Sequence, residues 1–309
     1  GAPVIVAAPA RAAAQATAAG ASGNESVILS GAALVPGRWY VTVVNAAAEP
    51  ASVSVRATVL GQAPVVRPGS YFNNLRGGHG LFLYPAGTDL AGLWYTYLQD
   101  GSPTWYYLQG AAPGTNGIWA AKLYRSAWTG TGNRLTEIGR ASVTPSGADA
   151  FSFSYTLDGE TGAEPLAALG RGCPSLSGAP LDVSSHWFNP ATSGTGYSVQ
   201  MFPGYEFYAA FVYDGLGVPR FLVAERNGFG GAEATLPLEQ LTGFCPLCAR
   251  PGAPARQAIG SFTRRFSGGS FANITLNGAY TGPVPGTWSA NQAVQALGGP
   301  GTTQGCAVP

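Results

Sequence analysis

Apolar and polar residues alternate along most of this chain in short stretches broken by Gly, Pro and Asn. That period of two belongs to strands; helices repeat every 3.6 residues. Residues 51–59 alternate strictly at Val53, Val55, Ala57 and Val59, and the run Trp39-Tyr40-Val41-Thr42-Val43-Val44 follows a Pro36-Gly37 turn. In the C-terminal part the pattern predicts eight strands, over residues 186–189, 196–202, 206–213, 220–226, 234–241, 257–266, 271–279 and 286–296. Successive strands with short turns make an up-and-down meander, and eight of them can close into a barrel that their own side chains fill. A two-sheet sandwich is the alternative.

The same meander is written twice. Tyr71-Phe72-Asn73 aligns with Trp187-Phe188-Asn189, an offset of 187 − 71 = 116 residues. At that offset Gly78 falls on Gly194, Gly80 on Gly196, Tyr97 on Tyr213, Gly101 on Gly217 and Pro103 on Pro219, with no gap between residues 71–108 and 187–224. Matches at turn residues and aromatics indicate a tandem duplication. The predicted division is an N-terminal part over residues 1–63, a first aromatic-rich β-domain over 64–173 and a second copy over 174–309. Residues 71–168 and 187–297 are expected to share one fold. The fold class is all-β: a partial β-sandwich followed by two tandem antiparallel eight-stranded meander barrels or sandwiches.

Composition sharpens this picture. Only 10% of the 309 residues are charged while 46% are hydrophobic, so a packed core is expected rather than disorder. The 45 Gly and 24 Pro punctuate strands, and 7 Trp, 14 Tyr and 14 Phe suit sheet surfaces. A formal net charge of +1, with Lys122 the sole lysine, provides no basic stripe for nucleic acid. No apolar run is long enough for a membrane-spanning helix. The only methionine is Met201, so a chain starting at Gly1 reads as a processed or partial product. Four cysteines in so neutral a chain fit an oxidising compartment, and the expected location is secreted or at the cell surface.

Two resemblances follow from particular residues. Asn24-Glu25-Ser26, the Pro36-Gly37 turn, Trp39-Tyr40-Val41 and the stretch 52–59 resemble the last strands of the bacterial pre-peptidase C-terminal (PPC) domain, a small β-sandwich. Only about its second half is matched, so the piece looks incomplete. The Ala-rich residues 1–23 carry too weak a pattern to supply the missing strands, and residues 10–16 suit a helix by propensity. The small sheet is therefore expected to be completed by docking on the first repeat or by strands from another chain. Trp187-Phe188-Asn189-Pro190, Ser193-Gly194-Thr195-Gly196, Phe211-Val212-Tyr213-Asp214 and Val218-Pro219-Arg220 are similar to modules at the C-terminal ends of secreted Gram-negative proteins. Gly243-Phe244-Cys245-Pro246-Leu247-Cys248 fits the same pattern, which implies an accessory extracellular role without a known activity.

Chemistry is sparse. Cys245-Pro246-Leu247-Cys248 lies between strands, without the βαβ setting of a redox Cys-x-x-Cys, and reads as a local disulfide. Cys173 and Cys306 each end one copy and form the natural second pair. A zinc site lacks ligands, since His79 and His186 are the only histidines, and neither is kept between the copies. Asp100 and Asp214 sit at turns, where Asp bonds its own backbone; Glu206 and Glu225 lie on or beside strands. No catalytic residue, metal or cofactor is assigned, and the chain is not expected to be an enzyme. The candidate ligand-binding residues are Trp94, Tyr95, Tyr97, Trp105, Tyr107 and Trp119. Trp94 and Tyr95 fall on opposite faces of one strand, so one set of rings lies outside the core, where planar faces suit sugar stacking or protein contact. Trp94 or Trp105 is accordingly expected to be partly solvent-exposed. The expected function is a non-catalytic extracellular module binding a polysaccharide, a cell-envelope component or a protein surface. The rival is a structural subunit of an extracellular fibre or surface assembly, self-assembled through strands from neighbouring chains.

Overall fold

The computed structural model describes residues 4–8, 16–19, 27, 40–44, 52–56, 66–114, 117–192, 194–248, 255–282 and 285–297, and these contain strands but no helix. At the N-terminus β1 (Val4–Ala8), β2 (Ala16–Ala19) and β3 (Tyr40–Val44) form an antiparallel sheet in the order β2-β1-β3. The first barrel is β4 (Gly69–Phe72), β5 (Gly80–Ala86), β6 (Asp89–Tyr97), β7 (Pro103–Ala111), β8 (Trp119–Trp128), β9 (Asn133–Gly147), β10 (Ala150–Leu157) and β11 (Glu160–Ala168). A two-stranded ribbon of β12 (Ser175–Leu176) and β13 (Ala179–Pro180) leads to the second barrel. That barrel is β14 (Ser185–Phe188), β15 (Gly196–Phe202), β16 (Tyr205–Tyr213), β17 (Pro219–Asn227), β18 (Glu233–Thr242), β19 (Ala255–Phe266), β20 (Phe271–Tyr280) and β21 (Gly286–Ala296).

Both domains are closed eight-stranded antiparallel barrels with sequential strands. The first closes where Ala167 and Ala168 of β11 pair with Phe72 and Tyr71 of β4. The second closes where Ala296 and Gln295 of β21 pair with Trp187 and Phe188 of β14. Closure leaves no free barrel edge. β4 to β7 reappear as β14 to β17 at the 116-residue offset, and two turns show why that half is kept: Gly78 and Gly194 both sit at φ +86°, Gly101 and Gly217 at +80° and +77°. Side chains other than glycine rarely adopt that left-handed backbone. A register shift follows in equivalent strand pairs, at Leu123/Tyr124 in β8 and Leu238/Glu239 in β18. Beyond these bulges the copies differ in strand length.

Alternation places every second side chain inside. Trp94, Tyr106, Trp119, Phe151 and Phe153 fill the first barrel; Trp187, Tyr197, Tyr208, Phe262 and Ile274 fill the second. The residues between them on β5, β6, β7, β16 and β17 are buried as well. Phe82, Tyr84, Tyr95, Tyr97 and Trp105 of the first barrel meet Phe207, Phe211, Tyr213, Phe221 and Val223 of the second in a third core between the two. The contacts are reciprocal. Tyr95 and Tyr97 lie 5.4 and 5.6 Å from Phe221, and at the 116-residue offset these become Trp105 at 5.7 and 5.6 Å from Phe211 and Tyr213. A patch meeting its own copy about a pseudo-two-fold axis produces this pattern.

The N-terminal part departs from the reading of the sequence. Residues of the Ala-rich segment do supply strands: Val4–Ala8 pairs with Ala16–Ala19 on one side and Tyr40–Val44 on the other. Val4-Ile5-Val6 carries the β-branched preference that the surrounding alanines obscured. Residues 52–56, expected to close this sheet, are exposed and form no strand, and Val27 is likewise outside any strand. Residues 10–15 lie outside the described residues, while Ala16, at the end of the suggested helix, is in β2.

Candidate functional site

The loop between β18 and β19 builds one wall of the inter-barrel junction. Its Cys245–Cys248 disulfide is formed, as expected. The other expected bond, Cys173–Cys306, involves Cys306, which lies outside the described residues. The disulfide loop belongs to the second barrel but rests on the first: Thr96 Oγ1 donates to Phe244 O at 2.6 Å and Gln99 Nε2 to Leu247 O at 3.2 Å. The Phe244 ring packs 4.8 Å from that of His79 and takes the Arg76 guanidinium on its face at 4.3 Å. A disulfide of short span thus shapes a strap that one barrel lays over the mouth of the other.

Beside this strap a cleft of about 350 Å³ opens between the barrels. Phe72, His79 and Tyr95 line it from the first barrel, and Tyr205, Phe207, Val223, Glu225 and Arg256 from the second. Tyr205 comes from the turn-side end of β16, and Glu225 faces it from the paired strand β17. The Tyr205 hydroxyl donates to Glu225, and Arg256 forms ion pairs with Glu225 and, at 2.7 Å, with Glu239. Burial first, then the bond to Glu225, push the Tyr205 hydroxyl above its ordinary range, so it remains a donor. The bond to Glu225 likewise raises Arg256.

Behind the cleft wall is a buried polar cluster. Glu164 enters the first barrel from β11 on the same face as Leu166, and both are buried. Its Oε2 receives Asn73 Nδ2 at 2.9 Å and lies 2.7 Å from His79 Nε2, while Arg76 stands 3.8 Å away. His79 Nδ1 and Glu164 Oε1 are buried without a hydrogen-bond partner among the described residues. A second cluster is, by contrast, saturated. In the second barrel Arg264 meets both oxygens of Glu206 at 2.8 and 2.9 Å, donates to Tyr208 Oη at 2.8 Å, and also binds Gly231 O. That arrangement spends its hydrogen bonds on the fold.

The aromatic candidates are distributed differently from the expectation. Trp94 and Trp119 are 0% exposed and fill the first barrel; Tyr95, Tyr97 and Trp105, at 5%, 1% and 4%, are covered by the second barrel. Neither Trp94 nor Trp105 is the exposed platform that was expected: Trp94 points into the barrel, and the outer face that carries Trp105 has a partner within the same chain. Tyr107 is partly buried, its hydroxyl donating to Gln109 Oε1 at 3.1 Å. Of the six, only Tyr95 lines the cleft.

The carboxylates divide into turn, core and cleft roles. Asp100 accepts from Ser102 N at 2.8 Å, and Asp214 accepts from Leu216 N and Val218 N at 2.9 and 3.0 Å. Asp214 also anchors Arg220, which reaches across to Ser102 Oγ at 2.6 Å. His186 stacks on Tyr84 at 4.9 Å beside Phe211, with Ser198 Oγ 3.3 Å from Nδ1, and desolvation lowers its pKa to about 3. Glu164, Asn73, Phe207 and Arg256 were missed in the sequence. A glutamate at an inward position of an alternating strand was the available signal for the first.

Among the described residues no three His, Cys, Asp or Glu side chains gather into a metal-ligand group, and no helix is long and apolar enough to cross a membrane. No protein-family model, curated protein or solved structure matches the chain.

Proposed function

We propose that this protein is a non-catalytic extracellular binding module whose ligand seats in the cleft between the barrels. One observation carries the reading: flat apolar rings of Phe72, Tyr95 and Phe207 meet the hydrogen-bonding groups of Tyr205, Glu225 and Arg256 in a cleft of about 350 Å³. Apolar walls with a few placed polar groups are the usual make-up of a ligand site. A polysaccharide, another cell-envelope component or a partner's side chain matches such a lining. His186, the histidine with a serine neighbour, is held neutral between aromatic rings, which supports a structural role for it. The test is co-sedimentation of the purified chain with insoluble polysaccharides and cell-envelope preparations. Phe207→Ala should reduce capture tenfold or more, roughly the effect of losing a binding hot spot. Capture unchanged by Phe207→Ala would move the site elsewhere.

A second reading is favoured by the N-terminal sheet, whose outer strand β3 pairs with β1 alone among the described residues and exposes Tyr40, Val41 and Val44. An uncovered strand edge is a template for another chain. Under this reading light scattering finds oligomers that are lost when lysines replace the exposed Val41 and Val44 on that strand. A monomeric parent would end it.

A further inference from the structure

We infer that the ligand of the inter-barrel cleft is a sugar residue, and that His79 Nδ1 forms a hydrogen bond with one of its hydroxyls. This rests on the cleft-binding reading above and narrows it to one ligand class. The side chain of His79 is fully buried, yet the residue lines the cleft. Its Nε2 lies 2.7 Å from Glu164 Oε2. Nε2 is thereby committed to Glu164, and Nδ1 is the ring nitrogen left to meet a ligand hydroxyl, which can donate or accept. That nitrogen has no hydrogen-bond partner among the described residues. Buried polar atoms are nearly always bonded, and an exception beside a cleft marks where an incoming group supplies the missing half. Glu164 is then a positioning residue. Held by Asn73 Nδ2 at 2.9 Å, it fixes which ring nitrogen is left for the ligand.

The rest of the lining selects the class. Phe72, Tyr95 and Phe207 offer flat rings, and Tyr205, Glu225 and Arg256 offer one hydroxyl, one carboxylate and one guanidinium at the mouth. A pyranose presents C–H groups on its faces and hydroxyls around its rim, and both sets find partners here. An alkyl chain leaves His79, Glu225 and Arg256 unmatched. A phosphate or polyanion meets Glu225, and a quaternary ammonium meets Arg256. The cleft lies near the lower end of ligand-pocket volumes, about 300–1,000 Å³, which suits one or two rings rather than a long chain segment.

With only two histidines in the sequence, the imidazole nitrogens of ¹⁵N-labelled protein give a spectrum that can be assigned directly, using His79→Gln for identification. The full chain is titrated with cello-, chito- and malto-oligosaccharides and with galactose and mannose. Tetramethylammonium chloride and inorganic phosphate serve as controls. The expected result is movement of the His79 Nδ1 resonance toward its hydrogen-bonded position with at least one sugar and with neither control. Calorimetry with that sugar should show about tenfold weaker binding by His79→Leu, the scale of one buried hydrogen bond. His79→Gln, whose amide can donate or accept, should recover part of the loss. If His79→Leu fails to fold, the shift in the parent protein decides. A sugar that binds without moving Nδ1 overturns the role of His79 and leaves the cleft reading standing. Binding of a control but of no sugar overturns the sugar class. Absence of binding by every probe overturns both.

Discussion

Phe221→Ala removes a ring with no exposed surface that stands against Tyr95 and Tyr97 of the other barrel. Burial of a Phe side chain is worth about 1.5–3 kcal/mol from transfer alone. The cavity left behind adds to this, giving about 3–5 kcal/mol for Phe→Ala in a packed core. Here the gap is framed by two closed barrels, whose hydrogen-bonded walls resist collapse, so a loss near 4 kcal/mol is expected. Urea unfolding followed by tryptophan fluorescence and far-ultraviolet circular dichroism measures it. A double-mutant cycle with Tyr95→Ala should return a coupling of about 0.5–1.5 kcal/mol, the range for one aromatic pair. The exposed Leu216 provides a reference, and its replacement by Ala should stay within about 0.5 kcal/mol. A Phe221→Ala loss below about 1 kcal/mol, or no coupling to Tyr95, would mean that the barrels do not rest on each other in this way.

Two further outcomes follow from the junction. Replacing Cys245 and Cys248 by Ser opens a loop of sequence separation 3, and loop-closure entropy puts the loss at about 2 kcal/mol, read from a thermal melt; an unchanged melt would show that the strap holds without its bond. His186 has a folded pKa lowered to about 3, below its ordinary value near 6.5, so the native state binds fewer protons than the unfolded chain between those values. Its contribution is complete above about pH 6.5 and is lost as pH falls, by at most about 1.4 kcal/mol per unit. His186 is half-buried rather than fully buried, which keeps the slope below that limit. Denaturant midpoints equal at pH 6.5 and 5 would refute the assignment.

The barrels were legible because alternation and turn glycines are local signals. All eight strands expected in the second copy are present within a residue or two of their predicted bounds. What covers the outer face was not legible. A period of two shows that Trp94 and Tyr95 point opposite ways, but the cover for Tyr95 comes from Phe207 and Phe221, more than a hundred residues away. Aromatics on both faces of one strand point to an exposed set only while a single copy is considered, and the second copy covers that set. The cleft was hidden for the same reason, since its walls come from both copies. Glu164 went unremarked because one polar residue on an inward face reads as noise until Asn73 and His79 are seen to converge on it.

The reciprocal packing of Tyr95 on Phe221 and Trp105 on Phe211 has a consequence for stoichiometry. The pseudo-two-fold axis relates the residues that line the cleft to an equivalent set in the other copy. At the 116-residue offset the walls Phe72 and Tyr95 become Phe188 and Phe211, but His79 becomes Thr195. In the other direction Tyr205, Phe207 and Glu225 become Asp89, Ala91 and Gln109. The equivalent set therefore has no imidazole and two fewer rings, and its carboxylate, Asp89, stands where Tyr205 does and is held by Gln109 Nε2 at 2.7 Å. Under the cleft-binding proposal, two barrels joined as a dimer of equals would offer two equivalent sites, whereas this diverged pair offers one.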